Sequence, residues 1–352
     1  MATGPGGHKG RGAAGNPAGR FERLARERDP DAGEIDQPPV TVVESRPART
    51  IIARNDSPDI PFSQSINPYQ GCEHGCIYCY ARPSHGYLGL SSGLDFETRI
   101  FAKTNAAELL RKELSRPGYR CEVIALGSNT DPYQPAERKL QITRSVLEVF
   151  REFRNPVGIV TKSSLIERDM DLLAPMAEQG LAEVFISATT LDADVARQLE
   201  PRAAAPVRRL ETLRRLSEAG IPCGVLVAPV IPFVNDKDME TVLEAARQAG
   251  ALRAGYQIVR LPHEVKDLFR GWLERHHPLR AEHVMARIRD LRGGKANDPR
   301  FGLRMTGEGQ YARLVAQRFE VACKRLELNA AGRGHLDTRK FRSPAQEQLR
   351  LL

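Results

Sequence analysis

Six short β-branched or apolar runs, each followed by helical periodicity, constrain the fold of this 352-residue chain more than any other feature. The runs are Gln64–Asn67, Glu122–Leu126, Val157–Thr161, Glu183–Ser187, Gly224–Val230 and Tyr256–Val259. Helical patterns separate them at Ala106–Ser115, Glu137–Phe153, Asp169–Gln179, Val207–Ala219 and Lys237–Ala249. Leu140, Leu147 and Phe150 share one face of the second pattern, and Val207, Leu210, Leu213 and Leu216 one face of the fourth. β–α units in series call for a parallel sheet with right-handed crossovers. An open doubly wound sheet and a partial barrel both satisfy that pattern. Further helices at Glu264–Glu274, Ala281–Leu291 and Glu308–Leu326 form a C-terminal appendix. In any parallel sheet the residues just after each strand meet on one rim, where α/β folds place their chemistry. Here those residues are Cys72–Cys79, Gly127-Ser128-Asn129-Thr130-Asp131, Lys162-Ser163-Ser164, and Ser187 with Thr189 and Thr190.

The flanks read differently. His8 to Arg28 is rich in Gly and Arg with little apolar content, so residues 1–54 are expected to be largely disordered and basic. Val40-Thr41-Val42-Val43 is a candidate short strand within them. The expected division is a core over 55–262, a helical extension over 263–329 and a flexible basic tail over 330–352. Between Arg270 and Leu352 stand 18 basic and 9 acidic residues, which accounts for the whole excess behind the formal charge of +8. Of the 52 basic residues 42 are Arg, the side chain best suited to phosphate, so nucleic acid is a candidate partner beside the plainer reading of a solvated basic face. No apolar run reaches the roughly 18 residues of a membrane span, and the first 19 residues have no apolar signal region. A cytoplasmic location follows as the expectation.

Three of the six cysteines crowd into Gly71-Cys72-Glu73-His74-Gly75-Cys76-Ile77-Tyr78-Cys79-Tyr80, a C-x3-C-x2-C array directly after the first strand. Thiolates bind soft metals, and three on one loop reach three irons of a single cubane, leaving one iron open to an exchangeable ligand. Gly71 and Gly75 allow the tight turns such a loop needs. The competing reading is a Cys3His zinc site completed by His74 or His85, although no second pair of ligands accompanies it. Cys121, Cys223 and Cys323 stand alone and read as small buried hydrophobes.

The array, its place after a first strand, and the aromatic Tyr78 before the last cysteine resemble the signature of radical S-adenosylmethionine (SAM) enzymes, from about Ser63 to Leu261. Asn67-Pro68-Tyr69-Gln70-Gly71-Cys72, Cys79-Tyr80-Ala81-Arg82, Thr130-Asp131-Pro132-Tyr133-Gln134-Pro135 and Leu199-Glu200-Pro201-Arg202 are similar to the spore photoproduct lyase-like, or DNA repair photolyase-like, branch and to a bacterial group within it. The flanking Lys9-Gly10-Arg11-Gly12 and Arg300-Phe301-Gly302 share that likeness. The resemblance implies a partial (β/α)6 TIM-like barrel, and a [4Fe–4S] cluster on Cys72, Cys76 and Cys79. It implies SAM as the ligand of the open iron, and reductive cleavage of SAM to methionine and a 5′-deoxyadenosyl radical that takes hydrogen from a substrate. A reductant such as flavodoxin or ferredoxin would supply the electron.

Within that resemblance the SAM carboxylate calls for a cation, Lys162 or Arg202. The ribose and ammonium call for acceptors, which Ser128, Asn129, Thr130 and Ser187 offer. Tyr78 is expected to cover the adenine side. Asp131 doubles as a turn and helix-cap residue. The lyase-like branch carries a cysteine near the second-strand turn that returns a hydrogen atom to the product. Leu126 to Asp131 contains none, and Ser128, which stands about there, has an O–H bond too strong to donate, so the spore-lesion reaction is not expected. The catalytic side chains and substrate stay unassigned. Nucleic acid leads, a small molecule or peptide follows, and a non-enzymatic zinc or iron–sulfur module is the third reading. His263-Glu264, His276-His277, Asn235-Asp236, Gly293-Gly294-Lys295 and Gly307-Glu308-Gly309 read as cap or surface features.

Overall fold

A computed structural model describes residues 7–22, 39–330 and 336–343. In chain order its strands are β1 Val42–Ser45, β2 Ile52–Arg54, β3 Gln64–Ile66, β4 Tyr69–Gln70, β5 Arg99–Ala102, β6 Ile124–Leu126, β7 Val157–Thr161, β8 Ala182–Ser187, β9 Cys223–Val230 and β10 Arg253–Ile258. The α-helices are α1 Leu94–Thr98, α2 Ala106–Leu114, α3 Glu137–Leu140, α4 Ile142–Phe153, α5 Met170–Glu178, α6 Ala193–Leu199, α7 Pro206–Glu218, α8 Met239–Gln248, α9 Val265–His276, α10 Ala281–Asp290 and α11 Gly309–Arg325. The fold is mixed α/β around one seven-stranded sheet of order β10-β9-β8-β7-β6-β3-β2. β3, β6, β7, β8, β9 and β10 run parallel, each beside its predecessor, and β2 closes the β3 edge in antiparallel sense.

Burial explains why these runs become parallel strands. β3 and β6 are buried at every residue, and Val184, Ile186, Val225 and Val227 lie in the core. Helices cover the sheet with one face each. α4 buries Val146, Leu147, Val149, Phe150 and Phe153, and each such side chain contributes about 1.5–3 kcal/mol.

The pattern Glu137–Phe153 is two helices rather than one. The chain breaks at Gln141, in left-handed conformation with φ of 51°. The buried Glu137 carboxylate explains the break, because it accepts the free N–H groups of Thr143 (3.0 Å) and Arg144 (3.4 Å) at the start of α4. Leu140 is consequently turned outward. Val207 likewise faces solvent, at the first turn of α7 beside Pro206, so only Leu213 and Leu216 of that set are fully buried.

The flanks also depart from expectation. Within 1–54, residues 7–22 and 39–54 pack on the body, and Ala13 is buried. β1 pairs parallel with β5, and β4 pairs antiparallel with β5, which makes a second, three-stranded sheet. Within 330–352, Phe341 packs on Tyr119 and Phe153, and the Arg342 N–H donates to the Phe153 carbonyl. Residues 1–6, 23–38, 331–335 and 344–352, on which the rest of those expectations falls, lie outside the described residues. No helix among the described residues is long and apolar enough to cross a membrane.

Candidate active site

The cysteine loop leaves β4 at Gly71 and is held from behind by a buried ion pair. Gly71 has φ of 82°, and a β-carbon there would meet His85, Ile100 and the Phe96 carbonyl within 3.0 Å, so only glycine turns this corner. Arg82, 0% exposed, donates from Nε to the Cys76 carbonyl (2.9 Å) and from its terminal nitrogens to the carbonyls of Gly75, Ser92 and Gly93. The same guanidinium pairs with buried Glu97. Glu97 in turn accepts the N–H groups of Gly12 (3.0 Å) and Ala13 (2.9 Å), which binds the N-terminal segment to the back of the loop. Each buried charge is thus fully partnered, the condition under which burying it is tolerable.

Cys72 and Cys76 are buried, Cys79 is partly exposed, and all three are free thiols. Burial, reinforced by nearby acidic groups, pushes the Cys72 and Cys76 thiols up, and burial raises Cys79 as well. Three thiols on one loop, held by backbone contacts and with no disulfide, are the donor set a three-point iron–sulfur ligation asks for. The histidines of the zinc alternative are engaged elsewhere. His74 Nδ1 stands 3.3 Å from Asp131 Oδ2, and His85 Nε2 lies 2.9 Å from the Arg99 carbonyl. Among the described residues no three His, Cys, Asp or Glu side chains gather around a point as a single ion requires.

The strand ends bring the other expected residues to this rim. Thr130 Oγ1 donates to the Gly71 carbonyl (2.6 Å), so Thr130 buttresses the loop. Ser128 Oγ accepts from Asn67 Nδ2 (3.1 Å), and the Asn129 N–H donates to Asn67 Oδ1 (2.7 Å). Asp131 accepts from Thr161 Oγ1 (2.7 Å), the Lys162 N–H (2.8 Å) and the Tyr133 N–H (2.9 Å), joining the ends of β6 and β7. Burial opposes its ionisation, but His74 and these hydrogen bonds outweigh that and hold it at about 2. Lys162 Nζ lies 3.9 Å from Glu200 Oε1 and 6.0 Å from the centre of the Tyr78 ring. The Tyr78 hydroxyl donates to Glu200. Ser187 is buried at the end of β8, its carbonyl accepting from Arg209 (2.9 Å). Arg202 sits on the cysteine loop itself, its N–H donating to the His74 carbonyl (3.2 Å) and its guanidinium standing 3.5 Å from Glu73 and 3.3 Å from Thr41 Oγ1.

Glu200, within Leu199-Glu200-Pro201-Arg202, is a site residue that no composition or spacing signal marks. It is buried and gathers Arg209, Tyr78, Thr189 Oγ1 (2.6 Å) and Lys162. Burial disfavours its charge, yet Arg209 and Lys162 prevail and hold it at about 2. Asn67 and Gln134 are also clamps, Gln134 taking the Glu73 N–H (3.0 Å) and donating to the Gly71 carbonyl (3.2 Å). Cys121 is half-buried against Asn155, while Cys223 and Cys323 are buried in the core. A cleft of about 320 Å³ lies behind the loop, between residues 12–17 and α9, and its lining contains none of the rim side chains.

Residues 66–246 match the family model described as the radical SAM superfamily. An uncharacterized protein of Mycobacterium tuberculosis is 37% identical over 234 residues, covering 66% of this chain and 68% of its own. An enzyme of Pseudomonas phage M6 named radical SAM Nalpha-GlyT isomerase is 29% identical over 199 residues, 54% of this chain and 38% of its own. Spore photoproduct lyase in complex with dinucleoside spore photoproduct superposes with a TM-score of 0.55 at 14% identity, covering 81% of this chain and 79% of that one, a likeness of fold. Family match, fold and the three-cysteine loop at the carboxyl rim agree: the chain is an enzyme of the radical SAM superfamily.

Proposed function

We propose that Cys72, Cys76 and Cys79 hold a [4Fe–4S] cluster whose fourth iron binds SAM, and that the enzyme abstracts hydrogen from a substrate presented at the carboxyl rim of a partial (β/α)6 barrel over residues 55–262. The observation that carries this is the placement of three free thiols on one buttressed loop, among donors from β6, β7 and β8, with both candidate histidines engaged elsewhere. When bound, the cluster and SAM supply a one-electron reductive cleavage that generates a hydrogen-abstracting carbon radical. The chain's own residues bind and orient. Lys162 offers the SAM carboxylate a cation whose partner Glu200 stands 3.9 Å away, far enough to share it. Ser128, Asn129 and Ser187 offer acceptors to the ribose and ammonium. Thr130 keeps the loop in place, and Tyr78 walls the site from below through its hydroxyl on Glu200. Arg202 belongs to this set only if it exchanges Glu73 for the SAM carboxylate.

A flavodoxin or ferredoxin is the expected class of electron donor, and nucleic acid the leading substrate class. The basic excess after Arg270 supports the second point, and little of it is neutralised from elsewhere in the chain. Arg270, Arg287, Arg289 and Arg300 pair with acidic residues of the same stretch, which the excess already counts, and only Arg304 and Arg318 take carboxylates from outside it, Asp59 and Glu240. Anaerobic reconstitution, dithionite reduction and chromatography for 5′-deoxyadenosine test the proposal. About four irons per chain with 5′-deoxyadenosine and methionine formed is the expected result. A full cluster that never cleaves SAM overturns it, and zinc at one per chain without sulfide supports the module reading instead.

A further inference from the structure

At the carboxyl end of β10 the Arg260 guanidinium lies 5.3 Å over the ring of Tyr80, the residue after Cys79. Tyr80 is 42% exposed and its hydroxyl donates to the Ser128 carbonyl, so this ring spans the rim from the cysteine loop to β10. Among the described residues Arg260 has no carboxylate within 4.0 Å, whereas Lys162, Arg202, Arg209 and Arg304 each have one. Its terminal nitrogen reaches only the Met305 sulfur, at 3.8 Å, and its Nε is buried without a hydrogen-bond partner. The surroundings add positive charge. Arg304 spends both of its hydrogen bonds on Asp59 (2.8 and 2.6 Å). Buried Arg292 donates to the carbonyls of Ile258, Val259 and Leu303. Burial and then Arg304 lower the Arg260 pKa, but a guanidinium stays charged at any working pH. A half-buried cation without an acceptor is costly unless a ligand supplies the anion.

We propose that Arg260 is a specificity-determining residue that grips a phosphate of the substrate, with Tyr80 presenting an aromatic face beside it. This rests on the reading of the rim as the site of hydrogen abstraction. A planar fork matches a phosphate through two parallel hydrogen bonds, and an aromatic next to a cation is the pairing that holds single-stranded nucleic acid. The anchor lies one side chain from Cys79, which sets the phosphate at the edge of the reacting position.

The test uses the cluster-loaded full chain with fluorescein-labelled dodecathymidylate, followed by anisotropy. Arg260→Gln is expected to weaken binding at least tenfold and to lower the salt slope by about one, with Arg260→Lys intermediate. Arg197→Gln, an exposed pair with Asp194 on α6, binds as wild type. Equal affinity of wild type and Arg260→Gln overturns the proposal, as does undiminished affinity for the uncharged methylphosphonate oligomer. Arg260-dependent binding of a polyglutamate probe of equal charge overturns the phosphate assignment in favour of carboxylate. Selective loss of SAM binding in Arg260→Gln overturns it in favour of a cofactor contact. Substrate-free 5′-deoxyadenosine formation by wild type reads the parent proposal separately, so either can fail alone.

Discussion

Alanine at position 12 isolates the contribution of the N-terminal segment to the cysteine loop. A β-carbon on residue 12 would sit 1.9 Å from the Gly75 carbonyl oxygen, where an ordinary contact begins at 3.4 Å, so one backbone must withdraw by about 1.5 Å. The Gly12 and Ala13 N–H groups stand 3.0 and 2.9 Å from the Glu97 carboxylate, and that withdrawal breaks both bonds. Hydrogen bonds to a charged group contribute about 1.5–3 kcal/mol each, so Gly12→Ala costs the docked segment about 3–6 kcal/mol. What remains lies to either side of this point. Arg11 donates to the carbonyls of Glu97 and Pro39 and to Thr41 Oγ1, Leu94 donates to the Gly15 carbonyl (3.2 Å), Asn16 exchanges two bonds with Asp95, Ser91 donates to the Pro17 carbonyl, and partly exposed Arg20 pairs with Glu264 (3.2 Å). Residues 7–22 should therefore open locally without global unfolding. Trypsin under native conditions, read by mass spectrometry at Arg11 and Arg20, should cut the variant on the order of 100-fold faster than wild type. Reconstituted Gly12→Ala should also shed iron faster through a desalting column. A variant as protease-resistant as wild type would refute the reasoning, because it would mean the contact relaxes at no cost.

Four other outcomes are expected. Arg82→Met leaves Glu97 buried without its cation, costs about 3–5 kcal/mol and lowers the melting temperature of the apo protein by about 10 °C; a shift within about 2 °C in calorimetry contradicts the buried-pair account. Cys76→Ala fails to retain a cubane, checked by iron and sulfide content, and a variant with wild-type iron refutes the ligand set. Glu200 carries a depressed pKa of about 2, so its charge contributes stability that is fully present above the unfolded value near 4.5 and is lost as pH falls through 2. The gap between wild type and Glu200→Gln in urea unfolding should be about 3 kcal/mol at pH 7 and should narrow between pH 4.5 and 2; a pH-independent gap counts against it. Phe341→Ala should cost about 1–2 kcal/mol through its lost packing on Tyr119 and Phe153, an effect a loose tail would not show in thermal unfolding.

The main sheet was legible because periodicity and burial coincide there. Val157–Thr161 has a β-branched residue at four of its five positions, and β7 occupies that span unchanged. The cysteine spacing was legible because ligand chemistry fixes both residue type and interval. The three-stranded sheet was not, since β1, β4 and β5 have four, two and four residues, too few for a periodic signal, and pair across distant sequence. The packing of residues 7–22 escapes the sequence for a related reason. Gly/Arg-rich chain with few apolar side chains reads as loose, yet it docks through backbone N–H groups on Glu97, a carboxylate 84 or more positions away. Backbone donors are the same in every sequence, so nothing at positions 12 and 13 except the smallness of Gly12 and Ala13 marks the contact.

Charge shows the same limit from the other side. Counting residues puts the excess after Arg270, but counting cannot see placement, and the arginines there lie mostly on exposed helix surface, where charge is screened by water and salt. Arg260 lies in the part of the chain whose net charge is near zero and is invisible to any count. It stands out only in three dimensions, as the rim cation with a buried Nε and no acceptor. Desolvation decides the difference. An exposed pair is worth at most about 1 kcal/mol, whereas an unpartnered, half-buried guanidinium carries a penalty that only an incoming oxyanion removes. Substrate preference in this enzyme is therefore expected to follow the one unmatched charge beside Tyr80 rather than the larger matched population on the C-terminal helices.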